Sequence, residues 1–166
     1  MHRIVLALLV LALGACSTSQ PRSDALVRVD SLQARPVVMD TDDDLAANRQ
    51  RWQAQGPEDY RFTYTRQCFC PPQARGPFEV TVRDGKVETV TYKGEGEPME
   101  RPLSEYQTVE DLFAVLADAY DRGAASVRAS YDAETGQPTE FFIDYDEQIA
   151  DEEVGFTVEP VRPLAE

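Results

Sequence analysis

Short segments in which apolar and polar residues strictly alternate recur along this chain, and they commit it to half-buried strands. Tyr60, Phe62 and Tyr64 alternate with Arg61, Thr63 and Thr65, in a run that extends to Cys68. Side chains two apart share one face of a strand, so such a run buries one set and wets the other. Phe78, Val80 and Val82 repeat the pattern. Asp84-Gly85 follows, a pair suited to the two positive-φ positions of a tight hairpin turn, and residues 86–92 return as a third strand. Val87 and Val90 fall on opposite parities, so a bulge or a frayed end is expected there. Later Val127, Ala129 and Tyr131 alternate, residues 132–138 turn, and Phe141, Ile143 and Tyr145 alternate again. An acidic connection over 146–152 leads to Val154, Phe156 and Val158.

Two segments switch from period two to helical spacing. Thr41-Asp42-Asp43-Asp44 has an N-cap residue and acids where the helix dipole is positive. The helix that follows carries Leu45 and Trp52 seven apart and stops at Gly56-Pro57. Thr108-x-x-Asp111 caps the second helix, with Val109, Leu112, Phe113, Leu116 and Tyr120 on one stripe and Gly123 at its end. Residues 94–103, with Gly96, Pro98 and Pro102, form a loop. The order α-β-β-β-α-β-β-β predicts an α+β fold: an antiparallel sheet of about six strands with two helices on one face. Helix plus three strands, twice over, suggests a duplication.

The N-terminus is of another kind. Met1-His2-Arg3 is a short positive start, residues 4–13 are uninterrupted apolar, and Leu13-Gly14-Ala15-Cys16 follows. Ten residues rise about 15 Å as a helix, roughly half the hydrocarbon thickness, too little to span a bilayer. These residues resemble the bacterial lipoprotein signal, in which an aliphatic residue and two small ones precede a cysteine. The resemblance implies cleavage before Cys16 and lipid on its sulfur and amino group, with Ser17 favouring passage to the outer membrane. Several acyl chains anchor a protein durably where one does not. The organisation expected is a signal peptide over 1–15, a lipidated tether over 16–40, one domain over 41–162 and a tail over 163–166. Val37-Val38-Met39 could pack on the domain.

Charge and missing residue types narrow the function. Residues 1–15 contain one Arg and no acid, so losing them takes the formal net charge from -14 to -15. Such a surface repels nucleic acid and anionic headgroups, so no nucleic-acid partner is expected. The one histidine is His2, within the signal, which leaves the mature chain without imidazole for Ser-His-Asp or Cys-His catalysis or for metal ligation. Lysines number two, Lys86 and Lys93.

Cys68-Phe69-Cys70 is the most distinctive local feature. With Cys16 lipidated, two thiols remain, an even number in an oxidising compartment. Alternate residues of a strand stand about 6.6 Å apart, near the upper limit for a disulfide, so the backbone must bend, and Pro71-Pro72 ends the strand there. A disulfide is the expected state. The alternative is a soft-metal site for copper or zinc on the two thiolates, and a redox pair ranks lower. Asp40-x-Asp42-x-Asp44 begins like a calcium loop, but Leu45 replaces the turn glycine and Arg51 stands where a bidentate Glu belongs. Asp144, Asp146, Asp151, Glu152 and Glu153 lack the motif as well. Trp52, Tyr60, Phe62 and Tyr64 could line a binding face, though core packing explains their alternation more simply. Neither a cofactor nor a catalytic group is expected.

Several of these segments occur together in a recognisable order. Trp52…Tyr60-x-Phe62, Cys68-x-Cys70, Val82-x-Asp84-Gly85-x-Val87, Thr108-Val109-Glu110-Asp111-Leu112-Phe113, Tyr131-Asp132…Gly136-x-Pro138 and Ile143-Asp144 resemble domain of unknown function 6174, common among bacterial envelope lipoproteins. The resemblance covers about residues 42–161 and brings no activity with it. The short hairpins are also similar in architecture to small binding modules of the PepSY and beta-lactamase-inhibitor type. The resulting expectation is a non-enzymatic, lipid-anchored envelope domain that binds an unidentified envelope protein or peptide and faces the periplasm from the outer membrane.

Overall fold

The structure, a computed structural model, describes residues 41–97, 99–149 and 151–165. Cys16, the apolar run over 4–13 and the tether over 16–40, Val37-Val38-Met39 included, lie outside the described residues. Among the described residues, no helix is long and apolar enough to cross a membrane.

Helix α1 spans Asp42–Gln55, and the Thr41 hydroxyl accepts the Asp44 N–H at its start. Strands β1 (Tyr60–Gln67), β2 (Phe78–Arg83) and β3 (Lys86–Tyr92) follow. Helix α2 (Val109–Asp121) comes next, then β4 (Ser126–Tyr131), β5 (Pro138–Asp144) and β6 (Val154–Val158). This is the expected α+β order. The capping box on α2 is complete: Thr108 Oγ1 accepts the Asp111 N–H, and the Asp111 carboxylate accepts the Thr108 N–H. Short 3-10 turns at Pro72–Ala74 and Leu103–Glu105 had no sequence signal beyond their prolines.

All pairings are antiparallel, and the sheet order is β3-β2-β1-β6-β5-β4. The Asp84-Gly85 turn has φ of 47° and 68°, the positive pair that a two-residue hairpin needs. The parity break lies beside it: Thr81 faces Thr89 but Val82 faces Val87, so Glu88 is the extra residue of a bulge. A seventh strand, β7 (Arg162–Pro163), pairs with Tyr60 and Arg61 of β1. Leu164 N–H adds a bond to the Asp59 carbonyl. The chain end expected as a tail from 163 is thus partly stitched to the sheet, because β6 covers only Tyr64–Gln67 of that edge.

The two halves are not symmetric copies. Each contributes its strands in the same lateral order, third-second-first, yet β1 and β4 run in opposite directions. Only a rotation about an axis along that lateral direction could relate them, and it would exchange the faces of the sheet. Instead α1 and α2 pack against each other on one face and share one core.

That core is built on β1. Tyr60, Phe62 and Tyr64 point at the helices with neighbouring ring centroids 5.7 and 5.8 Å apart. Trp52 meets Tyr60 edge-on at 5.5 Å, and Tyr64 touches both Phe78 and Phe156. Each such ring contributes about 1.5–3 kcal/mol on burial. Val109, Leu112, Phe113, Leu116 and Ala119 of α2 close the layer. Tyr120, expected on that stripe, is half-buried, and Ala119 lies inward instead.

The β4–β5 turn locks onto α1. Asp132 Oδ1 accepts the Thr135 N–H at 2.7 Å, the Thr135 hydroxyl at 2.8 Å and the Glu134 N–H at 3.1 Å. Those bonds hold its carboxyl below the usual aspartate range. Gln137, 1% exposed, clamps the segment between β6 and β7, donating to the Glu159 carbonyl at 2.8 Å and accepting the Val161 N–H at 3.0 Å. Gly136 has φ of 79°, and a Cβ there would lie 2.3 Å from the Asn48 carbonyl oxygen of α1. Gly85 also has positive φ but open space around it. Gly136→Ala should therefore cost about 2 kcal/mol or more, from strain and overlap together, and Gly85→Ala about 1 kcal/mol from conformation alone. Urea unfolding of the two variants checks the order, and equal losses would refute the close approach to α1.

Candidate functional site

Beside α2, on the helix-bearing face, a cleft of about 660 Å³ opens between the sheet, the helix and three loops. Tyr64 and Arg66 of β1 and Phe156 of β6 belong to its sheet side, and Ala114, Val115 and Asp118 of α2 to its helix side. Cys68, Phe69 and Cys70 from the loop after β1 border it, as do Arg101 and Glu105 from the loop before α2. Asp151, Glu152 and Glu153, in the connection before β6, complete the rim.

The cysteine loop is shaped by a bend where the strand stops. Strand β1 ends at Gln67, one residue short of the expected Cys68. The Cys70 N–H bonds the Cys68 carbonyl at 2.8 Å, an i to i+2 turn that brings the two Cα atoms to 5.3 Å. That is closer than alternate residues of an extended strand, and the two sulfurs are joined at 1.96 Å. Arg75 Nε donates to the Cys70 carbonyl, and the Arg66 N–H to the Arg75 carbonyl, so the loop folds back on the strand. Phe69, between the cysteines, is 81% exposed.

The cleft also contains cations stacked on rings. The Arg101 guanidinium lies 4.5 Å from the Tyr106 ring centroid and 5.1 Å from that of Phe78. Arg66 lies 5.9 Å from the Phe156 centroid. Tyr64 packs against both Phe78 and Phe156, so its ring stands between the two arginine-bearing rings. The Tyr64 hydroxyl accepts the Gln107 N–H at 3.3 Å. Burial pushes its pKa up, and the positive charges of Arg101 and Arg66 act against that rise.

The residues singled out in the sequence are distributed differently. Trp52 and Tyr60 come together on one carboxylate: Trp52 Nε1 and the Tyr60 hydroxyl each donate to Glu110 at 2.7 Å. The Tyr60 oxygen accepts the Val109 N–H at 3.0 Å. This closed cluster ties α1, β1 and α2 and has no part in the cleft. Asp42 and Asp44 sit in the first turn of α1, where Asp44 accepts the Thr41 hydroxyl. Asp144 ends β5 with Oδ1 buried and unpartnered, while Asp146 lies in the turn after it and accepts the Gln148 N–H. Among the described residues, no group of three or more Cys, Asp, Glu or His stands close enough to hold a metal ion. Spacing gives no signal for Arg66, Arg101 or the role of Phe69, because what distinguishes them is the company they keep across the fold.

Such a molecule is a single-sheet α+β domain with an open cleft between its helix layer and its loops. The chain belongs to the family of unknown function DUF6174, which matches residues 44–163. No curated protein and no solved structure matches it.

The buried phenols give the structure a pH signature. Burial, then the hydrogen bond and negative charge of Glu110, push the Tyr60 pKa far above its ordinary value; burial pushes Tyr64 up as well. Both phenols stay protonated in the fold while the unfolded chain ionises above about pH 10. Their contribution is therefore complete below that pH and is lost as pH rises beyond it. Tyr60→Phe should lower stability at pH 8 by about 1–3 kcal/mol, through the unpaired Glu110 and Val109 groups. Its decline between pH 9 and 11 should be shallower than that of the parent. Urea titrations at both ends of that range check this, and parallel declines would contradict it.

Proposed function

We propose that this chain is a non-enzymatic binding module of the bacterial envelope, tethered by lipid on Cys16, whose cleft receives a protein or peptide partner. The cleft itself carries the reading. It is large enough for several side chains, and Phe69 stands at its rim with 81% of its surface exposed. A large aromatic held in water on a short braced loop suits burial against a partner, where aromatic anchors dominate binding energy. The lipobox residues Leu13-Gly14-Ala15-Cys16 support the anchor, and the absence of histidine after His2 supports a role without imidazole-based catalysis.

A photocrosslinking residue placed at position 69 in cells should yield a discrete adduct with an envelope protein. The same residue at Thr91, exposed on the edge strand β3, should not. Equal labelling from both positions would defeat the reading. Cys16→Ser should release the chain from the membrane fraction; a variant still sedimenting with membranes would remove the anchor. Intact mass of the purified protein should be two hydrogens below that of the free dithiol, with Cys68 and Cys70 joined. Free thiols carrying copper or zinc would instead favour a metal-handling role.

A further inference from the structure

We infer that the cleft holds an anion pocket, made by Arg66, Arg101 and the Tyr64 hydroxyl, that takes the C-terminal carboxylate of a polypeptide. This rests on the proposed binding role and specifies the ligand.

Arg101 is the unusual group. It is half-buried, and among the described residues its Nε, fully buried, has no hydrogen-bond partner and its guanidinium pairs with no carboxylate. The acids outnumber the bases by 30 to 16, so partners for a cation are plentiful on this surface. A half-buried charge without an acid partner costs free energy that a bound anion returns. The rings of Phe78 and Tyr106 fix the guanidinium from below, leaving its terminal nitrogens as the available donors. Arg66, over Phe156, is likewise without an acid partner among the described residues. Tyr64 stands between the two supporting rings, and its hydroxyl accepts from Gln107 while, among the described residues, no acceptor takes its own proton. Three donors, two from β1 and one from the loop before α2, thus border one cleft.

The rest of the lining selects among anions. Glu105, Asp151, Glu152 and Glu153 border the same cleft and repel a polyanion such as a nucleotide. A single carboxylate on an apolar body, with cationic groups further along, satisfies every wall: the arginines meet the carboxylate, Val115 and Phe69 the apolar side chain, and the acids the cations. A polypeptide C-terminus with an apolar last residue and lysines upstream has this pattern.

The test is calorimetric titration of the purified full chain in detergent with a five-residue peptide, two lysines at its acetylated start and leucine at its free carboxyl end. The same peptide as its C-terminal amide, octanoate and inorganic phosphate are the comparison ligands. The free acid should bind at least tenfold more tightly than each of the three. Arg66→Gln, at an exposed position that leaves folding intact, and Arg101→Gln should each weaken it at least tenfold. Arg128→Gln, stacked over Phe142 on the opposite face, should change nothing. Acid and amide binding equally would overturn the carboxylate pocket while leaving peptide binding standing. Octanoate or phosphate binding as tightly as the peptide would overturn the polypeptide assignment, and no binding of the free acid would overturn the pocket altogether. The position-69 crosslink then reports on the binding role by itself.

Discussion

The Glu110 carboxylate is the contact on which the arrangement of layers depends. It stands in the first turn of α2 and accepts hydrogen bonds from Trp52 of α1 and Tyr60 of β1, each at 2.7 Å. Bonds to a charged acceptor are worth about 1.5–3 kcal/mol, and these satisfy the polar ends of two otherwise buried rings. Because α1 has only Leu45 and Trp52 to bury, its place on the sheet is set by this junction and by the close fit of Gly136 under Asn48. Helix α2, with its wide apolar stripe, would pack on the sheet in any case; the Glu110 contact fixes where α1 joins it.

From that junction a continuous line of rings runs along β1 to the cleft. Trp52, Tyr60, Phe62 and Tyr64 follow one another, and Tyr64 branches to Phe78 and Phe156, which support Arg101 and Arg66. Core and cleft are therefore two ends of one packed ladder. Alternation keeps the ladder on the helix side for five residues, and beyond Tyr64 the same parity delivers Arg66 to the cleft instead of to the core. Where the helix layer no longer covers the strand, the inward-pointing residue changes from aromatic to cationic.

The segments on which the sequence resemblance rests describe the fold more than the cleft. Trp52, Tyr60 and Glu110 make the junction, Asp84-Gly85 the hairpin, Thr108 and Asp111 the cap, and Asp132 with Gly136 the turn against α1. Each is legible because a local conformation or a short-range bond demands that residue type. Cys68-x-Cys70 is the exception that touches the cleft, since its loop presents Phe69 at the rim.

Sequence alone determined the order of the two helices and six main strands, both helix N-caps, the hairpin turn, the place of an irregularity in β3 and the inward face of the other main strands, since all of these follow from side-chain periodicity or backbone chemistry within a few residues. It also set the acidic surface and the lack of imidazole after His2. Only the tertiary structure decided that β1 pairs with β6, that the chain end returns as β7, and that the halves are unrelated by symmetry. It alone brought Arg101 to the cleft that Tyr64 and Arg66 border. Lateral strand order and the convergence of distant side chains depend on which buried faces fit together, a property of packed surfaces that no local pattern encodes.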